Sequence, residues 1–528
     1  MWLDLPEAER EEYKRMILAF ASLTEMFAQK ANTEERLPVP ILNSKYQETV
    51  FQKVFNASPE DIGNTSFDAS LEVSGKKYLI GIKTFILRSK EQKIAQFKAN
   101  RDEWSKILDD INSNSLTSDG ERLSKDEIDE VNNSLYMELA RKIALLRNVR
   151  ISSSKANLQG FIVSDGQKVE SVYHVLMPCC VDNQPSISVG ELAYDEIDVN
   201  SIEVMGCTNK NNPTNFSFSD GNHIYKFTAA DSQLLMSFDN KEIIIESWPV
   251  VYADDAYGFF ADLADRLYKK EPKQVIQTLT SSVEESYCWS ILNEKGEVEL
   301  FSGYNGFFGV GSKLSKDVRK KKVDNLMEKY TEDVEETTKD YVENALKRFL
   351  MDPASDKESK IEKVMLRNEI VTHVRETGNE NFQEDVNKLL YRPENEMYIP
   401  IPNSKKFHIE HPTFFVGKGI CFNEKGGMET AKEAREFNLV FEPSGNKVKS
   451  FIAEDWGKAI ESSSSMSFLG EWILRGVFQL ESFQPLTSSK LKEVGINGLR
   501  LYKLNGSNDV HLQFIWIDSD NLPQDYWF

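Results

Sequence analysis

The chain has 528 residues, 40% of them apolar and 28% charged, with a formal net charge of −21. This is ordinary composition for globular protein with room for roughly two to four domains, and no apolar run of about eighteen residues gives a membrane span. The acidic excess lowers the expectation of a nucleic-acid partner without removing it, because a local basic cleft suffices and acids elsewhere hide it in the total.

The start, Met1-Trp2-Leu3-Asp4-Leu5-Pro6-Glu7, has neither a basic stretch nor an apolar one, so no secretory signal is expected. Residues 7–30 read as a helix, with Met16, Ile17, Phe20, Leu23, Met26 and Phe27 at helical spacing. Leu37-Pro38-Val39-Pro40 ends it, and a second helix follows at about 45–56 on Tyr46, Val50, Phe51, Val54 and Phe55, with Glu48 at the edge of that arc. A hairpin comes next. Phe67 to Val73 and Tyr78 to Phe85 largely alternate apolar and polar residues around Ser74-Gly75-Lys76-Lys77.

After the hairpin, the spacing predicts a helix from Ser89 through Ile94 and Phe97 towards Trp104, then a polar loop from Asn112 to Asp129. The next helix carries Leu135, Leu139, Ile143 and Leu146 and ends in Arg147-Asn148-Val149-Arg150. Residues 159–250 read mostly as strands, among them Gly160 to Val163 and the hairpin Phe216 to Phe227 around Asp220-Gly221. Asp254 to Lys270 is a short amphipathic helix, expected as a hinge between two halves. Residues 312–387 are densely charged with helical spacing, as in Val342, Ala345, Leu346, Phe349 and Leu350, and Met351-Asp352-Pro353 breaks them. Residues 397–528 return to short strands between Gly and Pro turns, typical of a β-barrel or sandwich.

Five cysteines, Cys179, Cys180, Cys207, Cys288 and Cys421, are odd in number and lack C-x-x-C spacing. That argues against a disulfide framework and a zinc ribbon, and the expected location is the reducing cytoplasm. His408 and His411 have i,i+3 spacing without an evident third ligand, so plain surface or core roles are expected. No histidine has Lys two residues on, and no G-x-x-x-x-G-K-[ST] loop occurs.

The hairpin carries the chemistry. If Gly75-Lys76 form its turn, paired positions sum to 151 and Asp68 faces Lys83 directly, with Cβ atoms roughly 5 Å apart. Phosphodiester cleavage needs a carboxylate to hold Mg²⁺ and a cation beside the attacking water or the developing charge. Asp68 and Lys83 supply both. The plain alternative is an exposed cross-strand ion pair, common on sheets and worth little.

Helix, Asp strand, x-Lys strand and helix together resemble the PD-(D/E)xK nuclease core. The second strand reads Gly81-Ile82-Lys83, so glycine stands where the family has its second carboxylate. The resemblance implies that a helical Glu, here Glu48, joins Asp68 on the metal. Glu72 shares the face of Asp68 but lies roughly 13 Å along the strand, too far to share an ion. Gln92 and Lys93 are expected near the same cleft, touching phosphate, with Arg147 and Arg150 as further phosphate contacts or as ordinary solvated charge.

The C-terminal half carries a second resemblance, through Met397 to Pro402, Phe414-Phe415, Ser450 to Ala453, Trp456 to Ile460, Phe468 to Trp472, Leu501 to Leu504 and His511 to Phe514. Their order and spacing look like the B3-type DNA-recognition barrel of restriction endonucleases related to NgoFVII. In those relatives the nuclease half is of the phospholipase-D type, so the likeness is to the reader alone. Glu294 to Gly303 looks like that domain's opening strand. The resemblance implies base reading by Asn403, Ser404, Lys405, Lys406, Lys458 and Arg475, with the run Ser462 to Ser465 as a reader or a plain loop. Trp456, Phe468, Trp472 and Phe478 are expected in the core.

The expected fold is therefore multidomain α+β/α/β. A PD-(D/E)xK-like mixed sheet flanked by helices spans 1–250, a linker helix region 251–284, and a B3-type β-barrel 285–528 with the helical insertion at about 312–387. The expected function is a Mg²⁺-dependent, sequence-specific endonuclease of double-stranded DNA, leaving 5′-phosphate and 3′-hydroxyl ends as the resemblance implies and acting as a homodimer or a transient pair on DNA. A methylcytosine-dependent nuclease and a catalytically degenerate reader stand as alternatives.

Overall fold

Among the described residues, period-two runs build three β-sheets and period-3.6 runs the helices that cover them, a mixed α/β architecture. The computed structural model describes residues 1–27, 37–59, 67–162, 169–268, 283–311, 314–463 and 469–528. Val163, Ser464, Ser465 and Phe468 lie outside them.

The first helix is shorter than its periodicity: α1 covers Glu7–Ala21, and a separate turn of helix, α2, covers Thr24–Phe27. Then comes α3, Ser44–Val54, capped by the Asn43 side chain on the Tyr46 N–H. The first sheet runs β1 (Ser58–Pro59), β2 (Ala69–Val73), β3 (Lys76–Thr84), β5 (Val169–Val181), β6 (Gln184–Ala193) and β11 (Ile244–Pro249). β3 and β5 are parallel and the other neighbours antiparallel. Its two faces alternate along β3. Tyr78, Ile80 and Ile82 pack under α1 and α3, while Leu79 joins Tyr173 and Val175 beneath the long helix Lys125–Gln159.

The segment after the hairpin is a strand rather than the expected helix. β4, Glu91–Gln96, pairs with β10 (Gln233–Ser237) in a second, five-stranded sheet with β7 (Glu203–Cys207), β8 (Phe216–Ser219) and β9 (Ile224–Thr228). The helical spacing of Ile94 and Phe97 is real, but a partner strand nearly 140 residues on overrides it. The helix itself, α4, starts only at Arg101 and ends at Asn114.

α5, Lys125–Gln159, opens on a Ser124/Glu127 capping box and does not end at Arg150. It runs 35 residues, about 52 Å at 1.5 Å per residue. One face of its first half, Ile128, Tyr136, Leu139 and Ile143, packs in the core shared by the two sheets, and its last turns enter the second half of the chain. There the Ser153 hydroxyl donates to the Val477 carbonyl at 2.6 Å and the Trp472 indole N–H to Ala156 O at 2.9 Å. Phe161, just beyond it, packs with Phe441 and Trp472 in the core of that half.

The helix expected near 254–270 is α6, Ala256–Tyr268. The third sheet has seven strands, in the order β12 (Val283–Ser290), β17 (Gly498–Leu504), β18 (Val510–Ile515), β14 (Glu436–Glu442), β15 (Asn446–Ala453), β16 (Ala459–Ser462) and β13 (Ile399–Pro400). Its first strand is Val283–Ser290, whereas Glu294 to Gly303, expected as the opening strand, forms turns and a short 3₁₀ start. The charged segment is α7 (Lys316–Lys329), α8 (Glu336–Met351), α9 (Lys357–Glu376) and α10 (Glu380–Leu390), with a core of its own around Leu346, Phe349, Ile370 and Phe382. Arg367 fastens it: the guanidinium is buried over the Phe308 ring at 3.8 Å and donates to Phe308 O and Leu390 O.

Candidate functional site

Asp68 and Lys83 do come together, by a route that differs from the expected one. The turn residues are Ser74 and Gly75, both with positive φ (52° and 77°), as a type I′ turn requires. Val73 therefore pairs with Lys76, and paired positions sum to 149. Asp68 is aligned with Gly81 rather than Lys83. A register shift of two residues leaves every side chain on its face, so Lys83 reaches across diagonally and its Nζ lies 3.9 Å from Asp68 Oδ2. Both side chains keep about a quarter of their surface exposed (24% and 23%), enough to meet a solvent-borne substrate. The Ile82 N–H donates to the same oxygen at 2.6 Å. The carboxylate thus takes the place of a ladder carbonyl and is held where β2 begins.

α3 brings Glu48 to this end of the sheet through two tethers. The Thr84 hydroxyl hydrogen-bonds to Gln47, and the Gln52 amide donates to Asp68 O at 3.2 Å. Glu48 lies between them in sequence, one helical turn from Gln52. Its carboxylate is paired with Lys45 at 2.8 Å.

Gly81 has a packing reason. A Cβ there would stand 2.9 Å from the Tyr173 ring, which stacks on Tyr194 at 4.0 Å, and the Arg147 guanidinium covers Tyr194 at 4.8 Å. No carboxylate fits at this position. Gly81→Ala is expected to cost about 1–3 kcal/mol by forcing that stack apart, read as a lowered melting temperature; an unchanged melt would show that the rings yield freely.

Arg147 and Arg150 are corrected by their burial, 1% and 4% exposed. Arg147 donates to Asp195 O at 2.7 Å beneath the sheet. Arg150 donates to Gln96 O, Asn100 Oδ1, Lys492 O and Glu493 O, and burial pushes its guanidinium down to about 10. Neither faces a phosphate. Gln92 and Lys93 stand on β4 in the second sheet, not on a helix beside the pair, and Lys93 is exposed there. Arg475 donates to the carbonyls of Leu480, Glu481 and Glu394, and burial lowers its pKa. It braces the chain instead of reaching outward.

Five of the residues expected to read bases do converge. Asn403, Ser404, Lys405, Lys406 and Lys458 line one shallow concavity of about 570 Å³ with Ile401, Asp455 and Trp456. Ser404 and the residues after it form α11, Ser404–Glu410, which springs from Asn403 in the left-handed conformation (φ 46°). Lys405 Nζ lies 4.3 Å above the Trp456 ring and Lys406 Nζ 4.8 Å from that of Trp527. Such exposed cation–π contacts contribute only about 0.5–1 kcal/mol each, so both lysines are released easily. Lys458 is 3.6 Å from Glu454.

Trp472 and Phe478 are core, as expected, but Trp456 is half-buried and lines the concavity. Nothing in its local sequence marks it out. A cavity of about 940 Å³ between the four-helix unit and the stretch Tyr391 to Glu396 holds none of the candidate site residues. No family model matches the chain, and no curated protein matches it.

Proposed function

We propose that the protein is a Mg²⁺-dependent DNA endonuclease, with a PD-(D/E)xK-like site at the start of β2 and a B3-type reader in the third sheet. The observation that carries the reading is the Asp68–Lys83 pair, about a quarter exposed on a hairpin with its carboxylate oriented by the Ile82 N–H. An all-oxygen donor set suits Mg²⁺, which is held by one or two carboxylates together with water and substrate phosphate. Asp68 and Glu48 are the residues that would hold it. The bound ion would polarise the scissile phosphate and lower the pKa of a coordinated water.

The chain's own part is placement. Lys83, kept near Asp68, sets a positive charge where negative charge grows on the phosphoryl oxygens and orients the attacking water. Glu48 must leave Lys45 to take part, a small cost for a mostly solvated lysine. One such site per chain cuts one strand, so cutting both at one place takes two chains.

Supercoiled plasmid, unmodified or cytosine-methylated, incubated with Mg²⁺ or EDTA, tests this directly. Linear product with Mg²⁺ alone is expected, and activity confined to methylated plasmid would make the enzyme modification-dependent. No cleavage of either, alongside tight binding, would favour a silent reader. That second reading draws on Gly81, whose Tyr173 cover bars the usual carboxylate.

A further inference from the structure

We infer that the concavity around α11 seats an unpaired DNA base against the Trp456 indole. The inference rests on the DNA-binding reading above and names what that surface takes. Its starting point is backbone strain. Glu454 (φ 64°) and Trp456 (φ 57°) both occupy the region that L side chains avoid, and Gly457 (φ 63°) follows. Conformations of this kind persist only where the surroundings over-determine them, and they gather at binding sites.

Here the surroundings do so. The Trp456 N–H donates to Gly426 O at 2.8 Å, the Gly457 N–H to Glu454 O at 3.0 Å, and His408 Nε2 to Gly457 O at 3.0 Å. Gly426 (φ 87°) lies flat against the indole, and any Cβ there would overlap the ring. A tryptophan serving the core alone needs no such corner. What the corner achieves is to hold an indole at the wall of the concavity, with the Phe422 ring packed at 5.7 Å and the Lys405 ammonium 4.3 Å over the ring.

The ligand class follows from the lining. A planar base displaces Lys405 from the ring, because stacking on an aromatic face outweighs an exposed cation–π contact. Lys405, Lys406 and Lys458 then meet the flanking phosphates, with Asp455 and Glu454 the acids beside them. Asn403, exposed at the rim, offers a donor and an acceptor to the base edge. A base still in its duplex stack has no free face, so the site selects unpaired or extruded nucleotides.

The test uses the full chain in EDTA with DNA carrying 2-aminopurine, either in an unpaired position or within a fully paired duplex. Wild-type protein is expected to quench the unpaired fluorophore and to bind that DNA about tenfold tighter than the paired form. Trp456→Ala should lose both effects, and Trp456→Phe should keep most of them. Wild-type preference in Trp456→Ala would overturn the inference. So would absence of quenching in the wild type, which needs no variant to fold. Failure to bind any DNA defeats the DNA reading itself, whereas cleavage of paired plasmid without preference for unpaired bases defeats this inference alone.

Discussion

Asp68→Asn is expected to leave the hairpin folded and to slow plasmid cleavage on the order of a thousandfold, the scale of losing several kcal/mol of transition-state stabilisation. Asparagine keeps an oxygen for the Ile82 N–H, one of the bonds that join the start of the hairpin to β3, but removes the charge. The substitution therefore separates two roles that alanine would confound, since Asp68→Ala also forfeits that hydrogen bond, worth about 1 kcal/mol. Lys83→Ala should cost on the order of a hundredfold with little change in stability, because the 3.9 Å pair is partly solvated. Rates come from supercoiled plasmid and stability from thermal melts. Wild-type cleavage in Asp68→Asn or Lys83→Ala would remove the hairpin from the chemistry. Glu48→Gln tests the second carboxylate: if its rate matches wild type, the ion has another ligand.

Arg150→Ala is the largest expected loss of stability, about 3 kcal/mol or more. Four acceptors share its guanidinium, two on the segment Gln96–Asn100 and two at Lys492 and Glu493, so its removal strands buried oxygens on both sides of α5. Lysine cannot replace it, since one ammonium does not span that fork. In a chain of this size a melting midpoint does not isolate one seam. The informative readout is therefore hydrogen exchange, where amides in the last turns of α5 should lose protection before those under α1 and α3. Unchanged protection together with an unchanged melt would show the seam to be carried by apolar packing alone.

The Asp68–Lys83 pair was legible because alternation fixes faces, and faces survive the two-residue difference between a Gly75-Lys76 turn and the observed Ser74-Gly75 turn. The register itself was not, since it depends on which two residues adopt positive φ. The long helix shows a different limit. Its arginines look like the polar side of an amphipathic helix, but α5 is covered on opposite sides by different parts of the chain, and no window of sequence reports a second cover. β4 was misread for the same reason, its partner lying far down the chain. The lysines of the concavity were recognisable as a group, because α11 and the Trp456 loop keep them on the surface. Trp456 was not, because its exposure is set by Gly426, thirty residues away.

α5 also bears on how the protein can be re-engineered. Its last turns donate to Val477, Lys492 and Glu493 and accept from Trp472, so a second half excised near residue 250 would leave those groups facing water. A transplant of the second half would have to carry the end of α5 and Phe161 along with the sheet. The boundary for a graft runs through the middle of a helix.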